Sequence, residues 1–422
     1  MFNLPARTSL RITMAESTPQ SGATQFSWPR DIRRIGSRDL ASMAKAGMRV
    51  TIAFTDATRA CPDSQLIGYL LEELNRCGIA DKDVTLLCAT GLHRPMSESE
   101  KIAKLGNEIV ERVRVINHNA LDERGLVKLG EIDGIPVVVN RLCVETDLLL
   151  ATGTVEPHQY VGYSGGAKTV VIGCGGEATI KATHGHRMLD RAGVRLGAIN
   201  GNPFQSFIRR AGVGVDFVLN VLLDTSHRIV AAAIGAPTPV HDYLVERART
   251  IYEVPVERRA HMALAGADGP KSCNLYQASR AATYLALAGR TPLLPGAPIL
   301  LPAAIPEGAG NGTGERRFYE CLARAKSPSA LLEEMRQNGF SAGAQRAYIV
   351  AQTLVNHPII VVGAKHTEVV RECHMLNAPD VASGIEMAEA LARENFQMNE
   401  SQPLDFLVVP HALLTLPSLA QS

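Results

Sequence analysis

Short runs of apolar, often β-branched residues alternate with longer amphipathic stretches along most of this 422-residue chain. The alternation is typical of strands and helices that follow one another, and it predicts an α/β fold with mostly parallel sheets. Residues 48–54 predict a buried strand, and residues 64–77 predict a helix because leucines recur there every three or four positions. Residues 84–89 predict the next strand, and residues 97–100 have the form of a capping box that opens another helix.

The length of the chain favours two α/β domains, because 422 residues exceed what one ordinary hydrophobic core accommodates. Further strands are predicted at residues 148–152, 217–223, 262–266, 298–302, 358–363 and 404–410. We place the domain boundary near residue 260, where a helical segment ends. We therefore expect an N-terminal domain of residues 1–260 and a C-terminal domain of residues 261–400. Residues 401–422 are expected to pack back on the N-terminal domain.

The charge balance excludes several classes of partner. The 43 lysines and arginines against 42 acidic residues give a net charge of +1, so no field that would hold nucleic acid or a membrane surface is present. No apolar run reaches the roughly 18 residues of a membrane span, and no signal peptide is recognisable, which favours the cytoplasm. The eight cysteines are scattered singly and are expected to be reduced thiols. A small molecule is the expected partner.

Four polar clusters follow predicted strands, where open α/β sheets bind their ligands. In the first, Arg59 stands beside Asp56 and Thr58. Its guanidinium can form a bidentate contact with a carboxylate or phosphate while Asp56 orients a hydroxyl group. Alternatively, the segment is the capped start of a helix. In the second, His93 lies on a loop held by glycine and proline, where it is either a general acid or base or a structural histidine.

The third cluster combines a histidine, a glycine-rich loop and a lysine. His158 follows a strand, and the loop of Ser164, Gly165 and Gly166 then leads to Lys168. The backbone N–H groups of such a loop can bind a phosphate. The spacing matches neither a Walker loop nor a dinucleotide-binding fingerprint, so neither ATP nor NAD is favoured.

The fourth cluster holds His184 and His186, two positions apart. Paired imidazoles indicate a transition metal such as zinc, copper, iron or nickel, or else a solvated turn. A zinc hydrolase site is not favoured, because carboxylate or cysteine ligands at companion spacing are missing.

Together these clusters resemble the lactate racemase family, whose enzymes use a nickel-pincer nucleotide. The resemblance covers residues from about 50 to about 365, and its motifs occur in the family's order. The matching segments are Asp56-Thr58-Arg59, Gly91-His93-Arg94, Glu156-Pro157-His158, Gly162-Ser164-Gly165-Gly166-Lys168, His184, and Pro270-Lys271 with Asn274-Leu275-Tyr276-Gln277.

The resemblance implies a cofactor and its attachment. The nickel-pincer nucleotide is the nickel complex of pyridinium-3,5-bisthiocarboxylic acid mononucleotide, and Lys168 would bind one of its arms covalently. His184 would be the fourth nickel ligand, which explains why ordinary metal-ligand spacing is missing. Cofactor-maturation enzymes would then be partners of the chain. The N-terminal domain would hold the cofactor, and the active site would lie in the interdomain cleft. A homo-oligomer is left open.

The resemblance also implies a reaction, the inversion of a hydroxyl-bearing carbon of a small 2-hydroxy acid by reversible hydride transfer. His93 and His158 would be the paired acid and base, one for each enantiomer. The implied substrate-binding residues are Arg59, Gln277 and Arg280, and the implied cofactor-binding residues are Lys168, Asp56, Thr58, Ser164, Gly165 and Gly166. Arg280 replaces a lysine that is common in the family, and this replacement favours a larger or more acidic substrate.

Two other functions are compatible with the same residues. Lys168 could form a Schiff base in a lyase or aldolase, with the histidines moving protons. Alternatively, the glycine-rich loop binds a nucleotide or phosphate in a protein that is not a catalyst.

Overall fold

The computed structural model describes the chain in five stretches, which are residues 9–17, 26–36, 39–267, 269–341 and 343–420. The chain divides into two compact units. The N-terminal unit comprises Pro19–Val194 and Ile199–Thr250. The C-terminal unit comprises Met1–Thr18, Arg195–Ala198 and Ile251–Ser422.

Both units combine strands with helices. The strands are β1 Leu10–Met14, β2 Arg33–Ile35, β3 Val50–Thr55, β4 Val84–Ala89, β5 Arg114–Asn117, β6 Leu126–Ile132, β7 Ile135–Asn140, β8 Leu148–Thr154, β9 Pro157–His158, β10 Gly162–Tyr163, β11 Phe217–Leu223, β12 Ile229–Gly235, β13 Glu253–Val256, β14 Met262–Ala265, β15 Ile299–Pro302, β16 Ile359–Val362, β17 Leu376–Ala378, β18 Leu404–Val409 and β19 Leu416–Leu419. The α-helices are α1 Leu40–Met43, α2 Asp63–Arg76, α3 Glu98–Leu105, α4 Asn107–Arg112, α5 Glu177–His184, α6 His186–Leu189, α7 Pro203–Ala211, α8 Pro237–Tyr252, α9 Leu275–Ala286, α10 Thr313–Arg324, α11 Pro328–Asn338, α12 Gln345–Asn356, α13 Thr367–Glu372 and α14 Val381–Phe396. A π-helical segment spans Thr169–Gly173.

The N-terminal unit is built on a seven-stranded sheet in the order β2-β12-β11-β8-β3-β4-β5. Its strands pair in parallel except for the β11–β12 hairpin. Strand β3 pairs with both β4 and β8, so these three strands end at the same edge of the sheet. All seven residues of β8 are buried, as expected for a central strand covered on both faces.

Helix α2 shows why the sequence folds in this way locally. Its residues Leu66, Leu70 and Leu74 are buried, and they belong to one core cluster with Ile52 and Phe54 of β3. Each such leucine contributes roughly 1.5–3 kcal/mol by leaving water. The predicted capping box is also confirmed at the start of α3, where the side chains and backbone N–H groups of residues 97 and 100 bind each other reciprocally.

The C-terminal unit is built on a parallel six-stranded sheet in the order β1-β18-β14-β15-β16-β17. Helix α14 packs against it through Ile385, Ala388 and Ala392. A separate two-stranded parallel ribbon joins β13 to β19. The mostly parallel α/β fold predicted from the sequence is confirmed.

The assignment of the chain ends differs from our expectation. We expected residues 401–422 on the N-terminal domain, but β18 lies between β1 and β14 in the sheet of the C-terminal unit. The reason is that β18 is buried and apolar at every residue except Asp405, and a strand of this kind needs a partner along each edge. Strand β1 is one of these partners. Leu10–Met14 therefore belongs to the C-terminal unit and not to the N-terminal domain in which we placed it. The second unit resumes at Ile251, somewhat before the predicted boundary.

Within the described ranges, no helix combines the length and the apolar character that crossing a membrane requires.

Candidate active site

The ends of β3 and β4 bring Asp56 and His93 together. Nδ1 of His93 lies 2.6 Å from Oδ2 of Asp56. The other carboxylate oxygen accepts hydrogen bonds from the hydroxyl group of Thr58 at 2.6 Å and from its backbone N–H at 3.0 Å. The pairing of Thr55 with Ala89 in the sheet places the two loops side by side. The sequence named both residues but did not predict that they touch.

The environment of Asp56 keeps it ionised. Burial by itself raises the pKa of this carboxyl group, but the charges of His93 and Arg59 and the hydrogen bonds from His93 and Thr58 outweigh burial. The pKa of Asp56 is therefore held well below its usual value. Because a carboxylate only accepts hydrogen bonds, Nδ1 of His93 carries the proton and Nε2 presents its lone pair. The His93 side chain is 33% exposed, so a ligand can reach that nitrogen.

The side chains of Asp56 and Thr58, two predicted cofactor contacts, form hydrogen bonds within the protein. The hydroxyl group of Thr58 donates to Asp56, and Asp56 binds His93. A contact of either side chain with the cofactor stays a prediction. Arg59 remains available, since its guanidinium has no hydrogen-bond or ion-pair partner among the residues that the structure describes.

His158 follows the end of β8, the third strand at this edge. It lies in a short antiparallel ribbon of β9 and β10, in which His158 pairs with Gly162. Nδ1 of His158 accepts a hydrogen bond from the backbone N–H of Tyr160 at 3.3 Å. In the neutral ring the proton is therefore on Nε2. His93 and His158 thus hold opposite tautomers.

The loop that precedes Lys168 is closed by its own hydrogen bonds. The backbone N–H of Ser164 donates to the carbonyl oxygen of Glu156 at 2.9 Å, and that of Gly166 donates to Oδ1 of Asn220 at 2.7 Å. The hydroxyl group of Ser164 donates to the carbonyl oxygen of Thr154 at 2.8 Å. These groups of Ser164 and Gly166 therefore have partners within the protein, and their contact with a phosphate of the cofactor stays a prediction.

The same hydrogen bonds hold the loop in one conformation and thereby fix the position of the backbone at Lys168. At Gly165, φ is +92° and an added Cβ would lie 2.6 Å from Cγ2 of Val155, so only glycine fits. Lys168 directly precedes the π-helical segment Thr169–Gly173. Such segments are rare and occur frequently at functional sites.

His184 ends helix α5 and is fixed in one orientation. Its Nδ1 lies 3.1 Å from the carbonyl oxygen of Ile180 and 3.0 Å from the hydroxyl oxygen of Thr183. Since a carbonyl oxygen only accepts, Nδ1 carries the proton and Nε2 keeps its lone pair. Burial lowers the pKa of His184 to about 4, and the positive charge of Lys168 adds to this effect. At neutral pH His184 is an uncharged imidazole close to Lys168.

A row of rings links two of the predicted site histidines. The rings of His158 and Tyr160 are 5.6 Å apart, those of Tyr160 and His184 are also 5.6 Å apart, and those of His184 and Phe204 are 5.1 Å apart. All three contacts are edge-to-face, the favourable geometry for such pairs. Sequence reasoning missed Tyr160 and Phe204. Tyr160 lies two residues after His158 and could have been noticed, whereas nothing in the sequence marks Phe204.

The described residues contain no group of three or more histidine, cysteine or acidic side chains that could hold a metal ion. His186 begins the short helix α6 and is half-buried.

The remaining candidates, Gln277 and Arg280, lie on helix α9 of the C-terminal unit. The side chain of Asn274 caps this helix by accepting the backbone N–H of Gln277 at 3.0 Å. The guanidinium of Arg280 lies 5.9 Å from the ring centre of Tyr276. That these side chains reach the substrate stays a prediction.

Comparisons with known proteins show the family of the chain. Residues 2–197 match the family described as the lactate racemase N-terminal domain, and residues 258–400 match the lactate racemase C-terminal domain. The chain belongs to the lactate racemase family. Membership of this family makes it an isomerase of the racemase type.

Two curated lactate racemases are similar over most of the chain. That of Thermoanaerobacterium thermosaccharolyticum is 28% identical over 372 residues, which cover 86% of this chain and 85% of the relative. That of Lactiplantibacillus plantarum is 28% identical over 387 residues, which cover 90% of this chain and 87% of the relative.

Solved structures extend the likeness to the lactate racemase fold. The lactate racemase apoprotein from Thermoanaerobacterium thermosaccharolyticum superposes with a TM-score of 0.83 at 26% identity, covering 99% of this chain and 96% of that one. A Thermotoga maritima protein with 18% identity and a TM-score of 0.66 shares the fold, over 90% of this chain and 95% of that one.

Proposed function

We propose that this protein racemises a small 2-hydroxy acid, with lactate as the first candidate, by reversible hydride transfer to a nickel-pincer nucleotide bound covalently to Lys168. The observation that carries the proposal is the pair of imidazoles that follow β4 and β8 at one edge of the sheet, His93 and His158, held in opposite tautomers. A racemase needs a proton acceptor and a proton donor for each enantiomer, and two such rings meet that need.

The residues fit the proposed cofactor. His184 is neutral at physiological pH, and its Nε2 lone pair is free to coordinate a metal because Nδ1 is held by the Ile180 carbonyl group. Imidazole is a ligand that suits nickel. Lys168 lies close enough to His184 to lower the pKa of its ring, so one cofactor could engage both side chains. When bound, the nickel-pincer nucleotide supplies a reversible acceptor for the hydride of the substrate carbon.

The protein's own groups move the proton. For one enantiomer, Nε2 of His93 accepts the hydroxyl proton, and the carboxylate of Asp56 stabilises the imidazolium that results. For this step His158 carries a proton on both ring nitrogens, so it gives up the hydrogen bond from the N–H of Tyr160, and its Nε2 returns a proton to the oxygen as the opposite enantiomer forms. The two histidines exchange these roles when the reaction runs in the other direction.

Arginine side chains set the substrate class. Arg59 would bind the substrate carboxylate through a bidentate hydrogen bond, because its guanidinium forms no hydrogen bond or ion pair with any described residue. We propose that Gln277 and Arg280 add contacts from helix α9. An arginine at position 280 favours acids with a second acidic group or a larger polar substituent.

The proposal includes cofactor-maturation enzymes as partners and the cytoplasm as the compartment. All eight cysteines are free, which agrees with a reducing environment.

The test is to co-produce the protein with the cofactor-maturation enzymes and to combine intact mass spectrometry, nickel analysis and racemisation assays. We expect a mass adduct on Lys168 and bound nickel. We also expect interconversion of the D- and L-enantiomers of a 2-hydroxy acid, and lactate is the first acid to assay. Lys168→Ala should lose the adduct. The control Lys181→Ala, an exposed lysine in helix α5, should keep it.

The histidine variants separate binding from chemistry. His93→Ala and His158→Ala should retain nickel and lose interconversion by a factor of about 10² or more. A protein that carries no adduct and no nickel after maturation would refute the proposal. Borohydride trapping of a carbonyl substrate on Lys168 would favour the Schiff-base alternative instead.

A further inference from the structure

A fully buried carboxylate lies directly beneath the loop that carries Asp56 and Arg59. Asp63, the first residue of α2, has a side-chain exposure of 0%. One of its oxygens accepts a hydrogen bond from the hydroxyl group of Thr55 at 2.6 Å. The other accepts from the hydroxyl group of Thr152 at 2.6 Å and from the thiol of Cys61 at 3.3 Å.

The partner of this carboxylate is Lys104 of helix α3, whose side chain is 9% exposed. Its Nζ lies 3.1 Å from Oδ2 of Asp63. It also donates to two backbone carbonyl oxygens of the loop, that of Arg59 at 2.7 Å and that of Cys61 at 2.9 Å. The three protons of the ammonium group thus have three acceptors, and the pair holds the loop through its backbone.

The pair also reaches the other site segments. Thr152, which donates to Asp63, belongs to β8, the strand that leads to His158. The carbonyl oxygen of Thr152 accepts the hydroxyl group of Thr169 at 3.0 Å, and Thr169 is the residue after Lys168. One buried ion pair is therefore linked by hydrogen bonds to the loop after β3, to the end of β8 and to the π-helical segment.

A buried ion pair of this kind is poorly explained by stability, because the cost of desolvating two charges often equals or exceeds their attraction. Its contacts give a better explanation, since Lys104 binds the backbone at Arg59 and Cys61 rather than other side chains. We infer that Asp63 and Lys104 are positioning residues that fix the Asp56–Arg59 loop in the geometry that substrate binding requires. The effect on substrate rests on the proposed function, whereas the effect on the loop does not.

The consequence for the reaction follows from geometry. Displacement of the loop moves the Arg59 guanidinium and the Asp56 carboxylate together. A misplacement of about 1 Å can cost a factor of up to about 10² in rate. Because Arg59 is the proposed carboxylate ligand, we expect the larger effect to be on KM.

The test compares two buried lysines of the same helix. Lys104→Met keeps the hydrocarbon stem and removes the ammonium group, leaving Asp63 with its three other donors. Lys101→Met is the matched control, because the Lys101 side chain is 8% exposed and binds Glu98 rather than the loop. Lys104→Arg restores a cation at the same place.

Two measurements are made on each variant, amide hydrogen–deuterium exchange of the unloaded protein and steady-state kinetics of the loaded enzyme. We expect Lys104→Met to speed exchange in the peptide covering residues 56–62 and to raise KM at least fivefold with a smaller change in kcat. Lys101→Met should change neither by more than twofold, and Lys104→Arg should recover part of the loss. Equal effects of the two methionine variants, or no effect of Lys104→Met on the loop, would overturn the inference.

Two further points keep the test decisive. If Lys104→Met does not fold, Thr152→Val removes one donor to Asp63 at nearly constant volume and should also speed exchange in residues 56–62. Unchanged exchange in that variant would overturn the inference. If the wild-type protein shows no racemase activity at all, the proposed function fails, and the exchange measurement still decides the role of Lys104.

Discussion

The contact between Asp56 and His93 decides what the outer nitrogen of His93 can do. A lone imidazole exchanges its proton between two nitrogens, but a buried carboxylate on Nδ1 fixes the proton there and leaves Nε2 as the base. Both residues were predicted as site residues from their motifs, each in a different role. Their contact was not predictable, because it joins positions 37 residues apart through the register of two strands.

Replacing Asp56 should therefore reduce catalysis without removing the histidine. In Asp56→Asn the amide can donate to Nδ1 and hold His93 in the wrong tautomer, so we expect kcat to fall by roughly 10²-fold or more. The measurement is racemisation by loaded enzyme, normalised to bound nickel.

The control for this variant is Asp224→Asn, another buried aspartate of the N-terminal unit, which binds Arg228 and backbone N–H groups. An equal loss of normalised kcat in both variants would mean that Asp56 supports the fold rather than His93.

At the scale of elements, helix α8 supports the loop that leads to Lys168. Its residue His241 is 1% exposed, and its Nε2 lies 3.0 Å from the carbonyl oxygen of Ser164. A Cβ added at Gly166 would lie 3.3 Å from the Cβ of His241. The sequence predicted the strands before and after this loop well, because buried strands are long apolar runs. It did not mark His241, which looks like any histidine within a helix.

This packing predicts a pH dependence of stability. Burial, together with the charge of Arg209, lowers the pKa of His241 to about 4, although Asp242 and the carbonyl groups of Tyr163 and Ser164 oppose the shift. The unfolded imidazole takes up a proton below about pH 6.5, and the folded one does so only near pH 4. As the pH falls from about 6.5 to about 4, this group should therefore lower the free energy of unfolding by about 1.4 kcal/mol for each pH unit.

His241→Gln removes this titration and leaves a side-chain N–H that can bind the Ser164 carbonyl oxygen. Urea unfolding between pH 7.5 and 4.5 should give a flatter pH dependence for the variant, by roughly 3 kcal/mol over the whole window. Parallel curves for the two proteins would contradict the assignment.

At the scale of the whole molecule, the two ends of the chain share one sheet. Strand β18 lies between β1 and β14, and its Phe406 and Val408 are at most 1% exposed. The match to the lactate racemase C-terminal domain ends at residue 400, before this strand begins. A chain cut at that match would lose a strand from within the sheet and leave β1 without a partner.

We therefore expect a chain that ends at residue 400 to lose the fold of its C-terminal unit. Circular dichroism should show reduced structure, and hydrogen exchange should show unprotected amides in Leu10–Met14 and Met262–Ala265. A chain that lacks only residues 421 and 422 is the control and should melt like the full protein. Full protection of Met262–Ala265 in the shortened chain would show that β18 is dispensable.

The sequence by itself determined the alternation of strands and helices and the family, and it predicted most of the side chains proposed for the candidate site. It could do so because burial period, capping residues and motif spacing are local properties of the chain. Only the tertiary structure decided that Asp56 binds His93, that Asp63 and Lys104 hold the loop of Arg59, and that β18 joins β1. These contacts depend on which strands become neighbours and in which register, and the distance between partners along the chain hides them from any local pattern.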